Sequence, residues 1–161
     1  MSNNAGSNAG QAVALSTDGR NQFFSYCNIY GTVDFIFGDA AVVIQNSYIG
    51  VRLASGGQTV VTADGRIDDK LNTAIVIHNC SISSTPELQG NPNVKTYYLV
   101  DRGRNFHGRL SCGRVKWPGY HILNNPDDVQ SFTVENFIYG SGQQGHELRA
   151  VKITIGMIFV V

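Results

Sequence analysis

Among the carboxylates of this 161-residue chain, Asp34 is the one whose surroundings are hardest to explain by solvation. It lies in GTVDFIFGDAAVV, Gly31 to Val43, between Val33 and Phe35, in a stretch that otherwise reads as buried strand. Taking an ionised carboxylate out of water is costly unless the group is paired or at work in a reaction. The residues alone leave two readings open: a corner Asp bonded to backbone amides, and a functional carboxylate.

Other residue types narrow the chemistry. No G-x-S-x-G elbow is present, which argues against a serine triad. Cys27, Cys80 and Cys112 make an odd count without C-x-x-C spacing, so neither a zinc site nor a complete disulfide framework is expected. Cys27 and Cys80 share a repeat position and read as small core residues. Of the four histidines, His78 occupies an outward-facing slot also filled by Ser25 and Gln45, which predicts a surface role. Asn79-Cys80-Ser81 matches a glycosylation sequon, but its place in a ladder of strands predicts that it is unmodified. RGRNFHGR reads as a solvated basic loop.

The elements that must position these groups show in the composition. Val and Ile together number 29 against 8 Leu, with 18 Gly and 14 Asn, a mixture that favours extended chain and tight corners over helix. Lys and Arg number 12, as do Asp and Glu, so there is no electrostatic footprint for nucleic acid or an anionic membrane. The apolar end from Val151 to Val161 is too short to span a bilayer as a helix. MSNNAGSNAG has neither a basic nor an apolar region, so no signal peptide is expected at the start.

Three segments align without gaps: FFSYCNI (Phe23–Ile29), VIQNSYI (Val43–Ile49) and VIHNCSI (Val76–Ile82). The equivalences are Phe24/Ile44/Ile77, Tyr26/Asn46/Asn79, Cys27/Ser47/Cys80 and Ile29/Ile49/Ile82, with a weaker echo in FTVENFI, Phe132–Ile138. A unit of one strand, one polar corner and one more inward apolar residue cannot bury its own face. Stacked on like units it can, as in a parallel β-helix; a β-sandwich is the alternative. One longer offset then means a turn with a protruding loop, SGGQ or GRIDDKLN. Pro86 to Lys95 reads as a surface loop, Asp101 to Arg114 shows no strand pattern, and SFTVENFIYG reads as a return to strand. Residues 1–140 form the expected β-helix domain and residues 141–161 a separate tail.

GTVDFIFGDAAVVIQNS resembles the signature segment of plant pectin methylesterases (pectinesterases). QAVAL (Gln11–Leu15), NQFFSYCNIYG (Asn21–Gly31), VTADGRIDDKLNTAIVIHNCSI and GRVKWPGYHIL (Gly113–Leu123) resemble other segments of the family in the same order. The resemblance implies an all-β, right-handed parallel β-helix, here incomplete. It also implies hydrolysis of the C6 methyl ester of galacturonate in pectin, with release of methanol and no metal or organic cofactor. By the same resemblance Asp34 is the nucleophile, and Gln11 contacts the substrate and helps hold the oxyanion. Further implications are a cell-wall location, pectin and a proteinaceous pectinesterase inhibitor as partners, and a monomer.

Two motifs of the family have no counterpart. A GYQDTLY-like motif carries its general acid, yet STDGR joins Leu15 directly to Asn21, as if about one turn were removed; Asp18 occupies the gap among neighbours that do not match. An LGRPW motif should follow VKTY (Val94–Tyr97), and YLVDRGRNFHG stands there instead. The second reading is therefore an inactive homologue that binds pectin or a protein.

Overall fold

A computed structural model of the chain describes residues 1–2, 12–64, 73–101, 104–107, 126–139 and 158–160. Strands β1 (Leu15–Ser16), β2 (Gln22–Ser25) and β3 (Asn28–Gly31) make a first rung. The second rung is β4 (Ile36–Phe37), β5 (Ala41–Gln45) and β6 (Tyr48–Val51). The third is β7 (Gln58–Asp64), β8 (Ala74–His78) and β9 (Ser81–Ser84). A short helix α1 (Pro86–Gln89) leads into β10 (Lys95–Asp101), which opens a fourth rung.

Like strands of successive rungs pair in parallel, giving three sheets: β1-β4-β7-β10, β2-β5-β8 and β3-β6-β9. This is the parallel β-helix that the sequence repeats predict. The register matches them residue by residue: Phe24 pairs with Ile44 and Ile44 with Ile77, while Ile29 pairs with Ile49 and Ile49 with Ile82. Ile29, Ile44, Ile49 and Ile77 are fully buried, and with Phe35, Ile36, Val42, Val61 and Ile75 they fill the interior. Burying each such side chain contributes about 1.5–3 kcal/mol, and stacking is what makes that burial possible.

The corners follow the same repeat. Tyr26, Asn46 and Asn79 all have left-handed backbone, with φ of 53°, 50° and 50°. Asn tolerates that conformation better than most residues, which accounts for its recurrence there. Leu15 pairs with Ile36 of the next rung, so the first rung stays in register with the second despite the short link through STDGR. An exposed turn at residues 55–57 leads into the third rung; GRIDDKLN lies outside the described residues.

Several expectations require correction. Pro86–Gln89 is helical rather than loop: Pro stands in its first turn, where a missing N–H does no harm, and Leu88 is buried. The stretch expected to lack strand contains β11 (Arg104–His107), antiparallel to β10. FTVENFI is not a fourth rung. Pro126–Phe132 forms a 3-10 helix and Val134–Tyr139 a π-helical turn. Phe137 and Ile138 of that turn pack on Ala41, Val43, Ala74 and Val76, the outer face of the β2-β5-β8 sheet.

Burial also corrects the reading of His78. Its slot does face outward with Gln45, but His78 is 7% and Gln45 4% exposed. Gln45 Nε2 and His78 Nδ1 meet at 2.8 Å, which joins the two side chains across neighbouring strands of the sheet. Strand β12 (Ile158–Val160) pairs antiparallel with β8, on the edge that β5 leaves open.

Candidate active site

Asp34 sits where the chain leaves β3 and turns into β4. Its φ is 49°, a left-handed conformation that a carboxylate-bearing residue reaches at a cost of about 1–2 kcal/mol. Neighbouring rungs on both sides hold the turn in that shape. On one side the Phe35 carbonyl accepts the N–H groups of Ala14 (3.0 Å) and Leu15 (2.9 Å). On the other, the Thr32 carbonyl accepts the Val60 N–H at 3.0 Å and the Gly31 carbonyl the Arg52 N–H at 2.8 Å.

Packing fixes the rest. Phe35 is fully buried and Thr32 is 2% exposed, whereas Asp34 between them is half-buried. Alternation along the turn thus puts Val33 and Asp34 outward while Phe35 anchors the core. A carboxylate so placed can reach solvent yet has a backbone that cannot swing, which suits a nucleophile that must meet a carbonyl carbon in one orientation.

Gln11 lies outside the described residues. The chain just after it, Ala12 to Leu15, runs beside Phe35, next in sequence to Asp34. Asp18 is a different case. Ser16 donates its hydroxyl to Asp18 Oδ2 at 2.8 Å, and Gln22 donates its side-chain amide to the Asp18 carbonyl at 2.8 Å. Its neighbour Thr17 donates to the Phe37 carbonyl, at the opposite end of β4 from Asp34. Asp18 thus follows the end of β1 that pairs with Phe37, whereas Asp34 precedes the other end of β4. Asp39 is exposed at that same far end.

Among the described residues no group of three or more His, Cys, Asp and Glu is arranged to hold a metal ion. Cys27 and Cys80 are free thiols, half-buried against the interior. Burial pushes the Cys80 thiol above its ordinary value of 9.0, so it stays protonated at neutral pH. Trp117, His107 and the side chains of the basic run RGRNFHGR lie outside the residues whose side chains are described.

Two features of this site escaped the sequence. One is the left-handed Asp34, for which the only signal was a polar residue between two apolar ones. The other is Thr32, whose buried hydroxyl makes no hydrogen bond in the turn that carries Asp34.

The sequence model of the family described as Pectinesterase matches residues 17–108. Pectinesterase 2 of Citrus sinensis is 33% identical over 172 residues, covering 82% of this chain and 34% of its own length. Probable pectinesterase/pectinesterase inhibitor 41 of Arabidopsis thaliana is 36% identical over 169 residues, covering 80% and 29% respectively. The solved structure of a pectin methylesterase from carrot superposes with a TM-score of 0.68 at 29% identity, over 86% of this chain and 63% of that one. The chain therefore spans about a third of the length of these curated relatives.

Proposed function

The chain belongs to the pectinesterase family, and from that premise we propose that it hydrolyses galacturonate methyl esters of pectin with Asp34 as nucleophile. The observation that carries this reading is the Asp34 turn itself. It lies within the matched residues and holds a half-buried carboxylate rigidly between two rungs.

In the first step a carboxylate oxygen of Asp34 bonds to the ester carbonyl carbon, and the carbonyl π pair moves onto oxygen. Gln11 donates a side-chain N–H to that oxyanion. Collapse breaks the bond to methoxide, which takes a proton and leaves as methanol. Water then attacks the substrate carbonyl carbon of the resulting anhydride, restoring the Asp34 carboxylate and releasing the free acid.

The methoxide needs a proton, and the described carboxylates nearest in sequence, Asp18 and Asp39, stand at the far end of β4. Solvent water supplies it in this reading. General acid catalysis contributes about 10²–10⁴ in rate, so turnover is expected to be slow by that factor.

The same reading locates the chain in the cell wall, as a monomer acting in wall modification and pectin breakdown. A proteinaceous pectinesterase inhibitor is its expected protein partner. In this reading residues 1–140 are the pectinesterase-like domain and residues 141–161 an appended segment.

The test is methanol release from highly methylated pectin by the purified chain, beside an Asp34→Asn variant of equal thermal stability. Release that vanishes in the variant supports the proposal. A chain that melts cooperatively yet releases no methanol overturns it, and leaves the homologue that binds pectin or a protein.

A further inference from the structure

The left-handed corners do more than turn the chain. They stack Tyr26, Asn46 and Asn79 in one row on the outside of the solenoid, one residue per rung. Rungs lie about 4.8 Å apart, so the row from Asn79 to Tyr26 spans on the order of 10 Å. Beside it runs an open groove of about 590 Å³, lined by Tyr26, Asn28, Asn46, Tyr48, Asn79 and Ser81 among others. The groove is held by backbone bonds between rungs: Tyr26 N–H to the Gln45 carbonyl, Asn46 N–H to the His78 carbonyl and Ser81 N–H to the Ser47 carbonyl.

Asn79 begins Asn79-Cys80-Ser81, the one Asn-x-Ser/Thr sequence in the chain. The sequence alone predicts that membership of a ladder hides it. The structure shows otherwise: Ile77 and Ile82 face the interior while Asn79 and Ser81 are exposed. Tyr26, at the other end of the row, is 83% exposed, an aromatic face that nothing in the described fold covers.

We propose that Asn79 is an N-glycan acceptor and that the first two sugars lie along the groove over Asn46 toward Tyr26. The proposal rests on the cell-wall reading, since the modification needs passage through a secretory route. Asn79 Nδ2 bonds to the anomeric carbon of a lipid pyrophosphate-linked oligosaccharide. The bond from that carbon to the pyrophosphate oxygen breaks, the lipid pyrophosphate leaves with the electron pair, and a basic group of the transferase takes one amide proton.

The product keeps one N–H on Nδ2. In the bare chain that nitrogen donates to Asn46 Oδ1 at 2.6 Å, so the surviving N–H can hold the same partner and fix the direction of the first sugar. Two pyranose rings match the length of the row. Tyr26 offers the second ring an aromatic face, and the Asn28 amide and the Tyr48 hydroxyl line the path with neutral donors and acceptors. The Cys80 Sγ lies 3.4 Å from the carbonyl oxygens of both Ile44 and His78, either of which can accept its one proton, so the middle residue of the sequon is turned inward and leaves the approach open.

The experiment secretes the full chain from cultured eukaryotic cells behind a cleavable leader. Intact mass is read before and after peptide-N-glycosidase F, with Asn79→Gln and Ser81→Ala beside it. A mass gain that the amidase removes, and that both variants lack, is the expected result. An unmodified wild-type mass overturns the proposal, whether or not the protein releases methanol, so failure here is distinct from failure of the esterase reading. Placement in the groove has its own readout. Enzymatic deglycosylation is expected to lower Tm by about 2–4 °C in the wild type and to leave Tyr26→Ala unchanged. Equal shifts in the two proteins overturn the groove.

Discussion

The ring of Phe35 occupies the space that a side chain on Gly31 would need: a Cβ at position 31 falls 2.2 Å from Phe35 Cγ. Two residues flanking the Asp34 turn are thereby fitted to one another, the first by lacking a side chain and the second by being fully buried. Gly31→Ala forces the ring to move, and the carboxylate beside it moves too. We expect a loss of about 1–3 kcal/mol in stability from overpacking. Methanol release should fall further than the folded fraction does, with kcat rather than KM carrying the change. A variant that loses stability but keeps the activity per folded molecule contradicts the positioning role.

The left-handed corners predict an unusual ranking at Asn46. Ala cannot relieve the strain at φ 50° and removes the acceptor of the Asn79 amide, so Asn46→Ala should cost about 1–2 kcal/mol. Gly removes the same acceptor but also the strain, so Asn46→Gly should be close to neutral. Urea midpoints of the three proteins decide this. Equal losses for Ala and Gly would mean that the amide ladder, not the backbone, fixes the corner.

Ile49 is stacked between Ile29 and Ile82 with no exposed surface. Removing its side chain leaves a cavity bounded on both sides by neighbouring rungs, which cannot collapse without breaking register. Ile49→Ala is expected to cost about 2–5 kcal/mol, whereas Asn28→Ala, on the exposed side of the same sheet, should stay within about 0.5 kcal/mol. Chemical denaturation at one pH measures both, and a small loss at Ile49 would show that the ladder is not the source of stability.

Why the rungs could be read from the sequence, and other parts could not, follows from the range of the interactions. Ile29, Ile49 and Ile82 recur because each packs on its own equivalent one turn away, so the contact is written as a repeat. Asn46 and Asn79 recur because few other residues accept that backbone. FTVENFI carries the same alternation of apolar residues as a rung, yet Phe137 and Ile138 meet Val43 and Val76 from outside. Nothing local distinguishes an apolar stripe that enters the solenoid from one that covers it. His78 shows the same limit: its outward direction follows from the repeat, but its burial is set by contacts that the repeat does not carry. At the site, Asp34 was legible as an odd carboxylate among apolar neighbours. Its clamping by Ala14, Leu15 and Val60 depends on pairings between rungs that only the register reveals.

The half-buried Cys80 makes stability depend on alkaline pH in a definite direction. Burial raises its pKa above the ordinary 9.0, the proximity of Cys27 adds to the rise, and backbone hydrogen bonds at Ser47 and His78 oppose it more weakly. In the unfolded chain the thiol ionises near its ordinary value, while in the folded chain it holds its proton to higher pH. Between those values the unfolded state binds fewer protons than the native state, so the unfolding free energy falls as pH rises. Cys80 therefore contributes nothing to the pH dependence below its unfolded value and a progressive loss above it. Tyrosines and lysines titrate in the same range, so the informative quantity is the difference between wild type and Cys80→Ala. Urea midpoints taken from pH 7 to pH 10 should run parallel at first and converge above about pH 9, as the wild type loses what the variant cannot lose. Curves that stay parallel to pH 10 would show that the thiol meets water as freely in the folded chain as in the unfolded one.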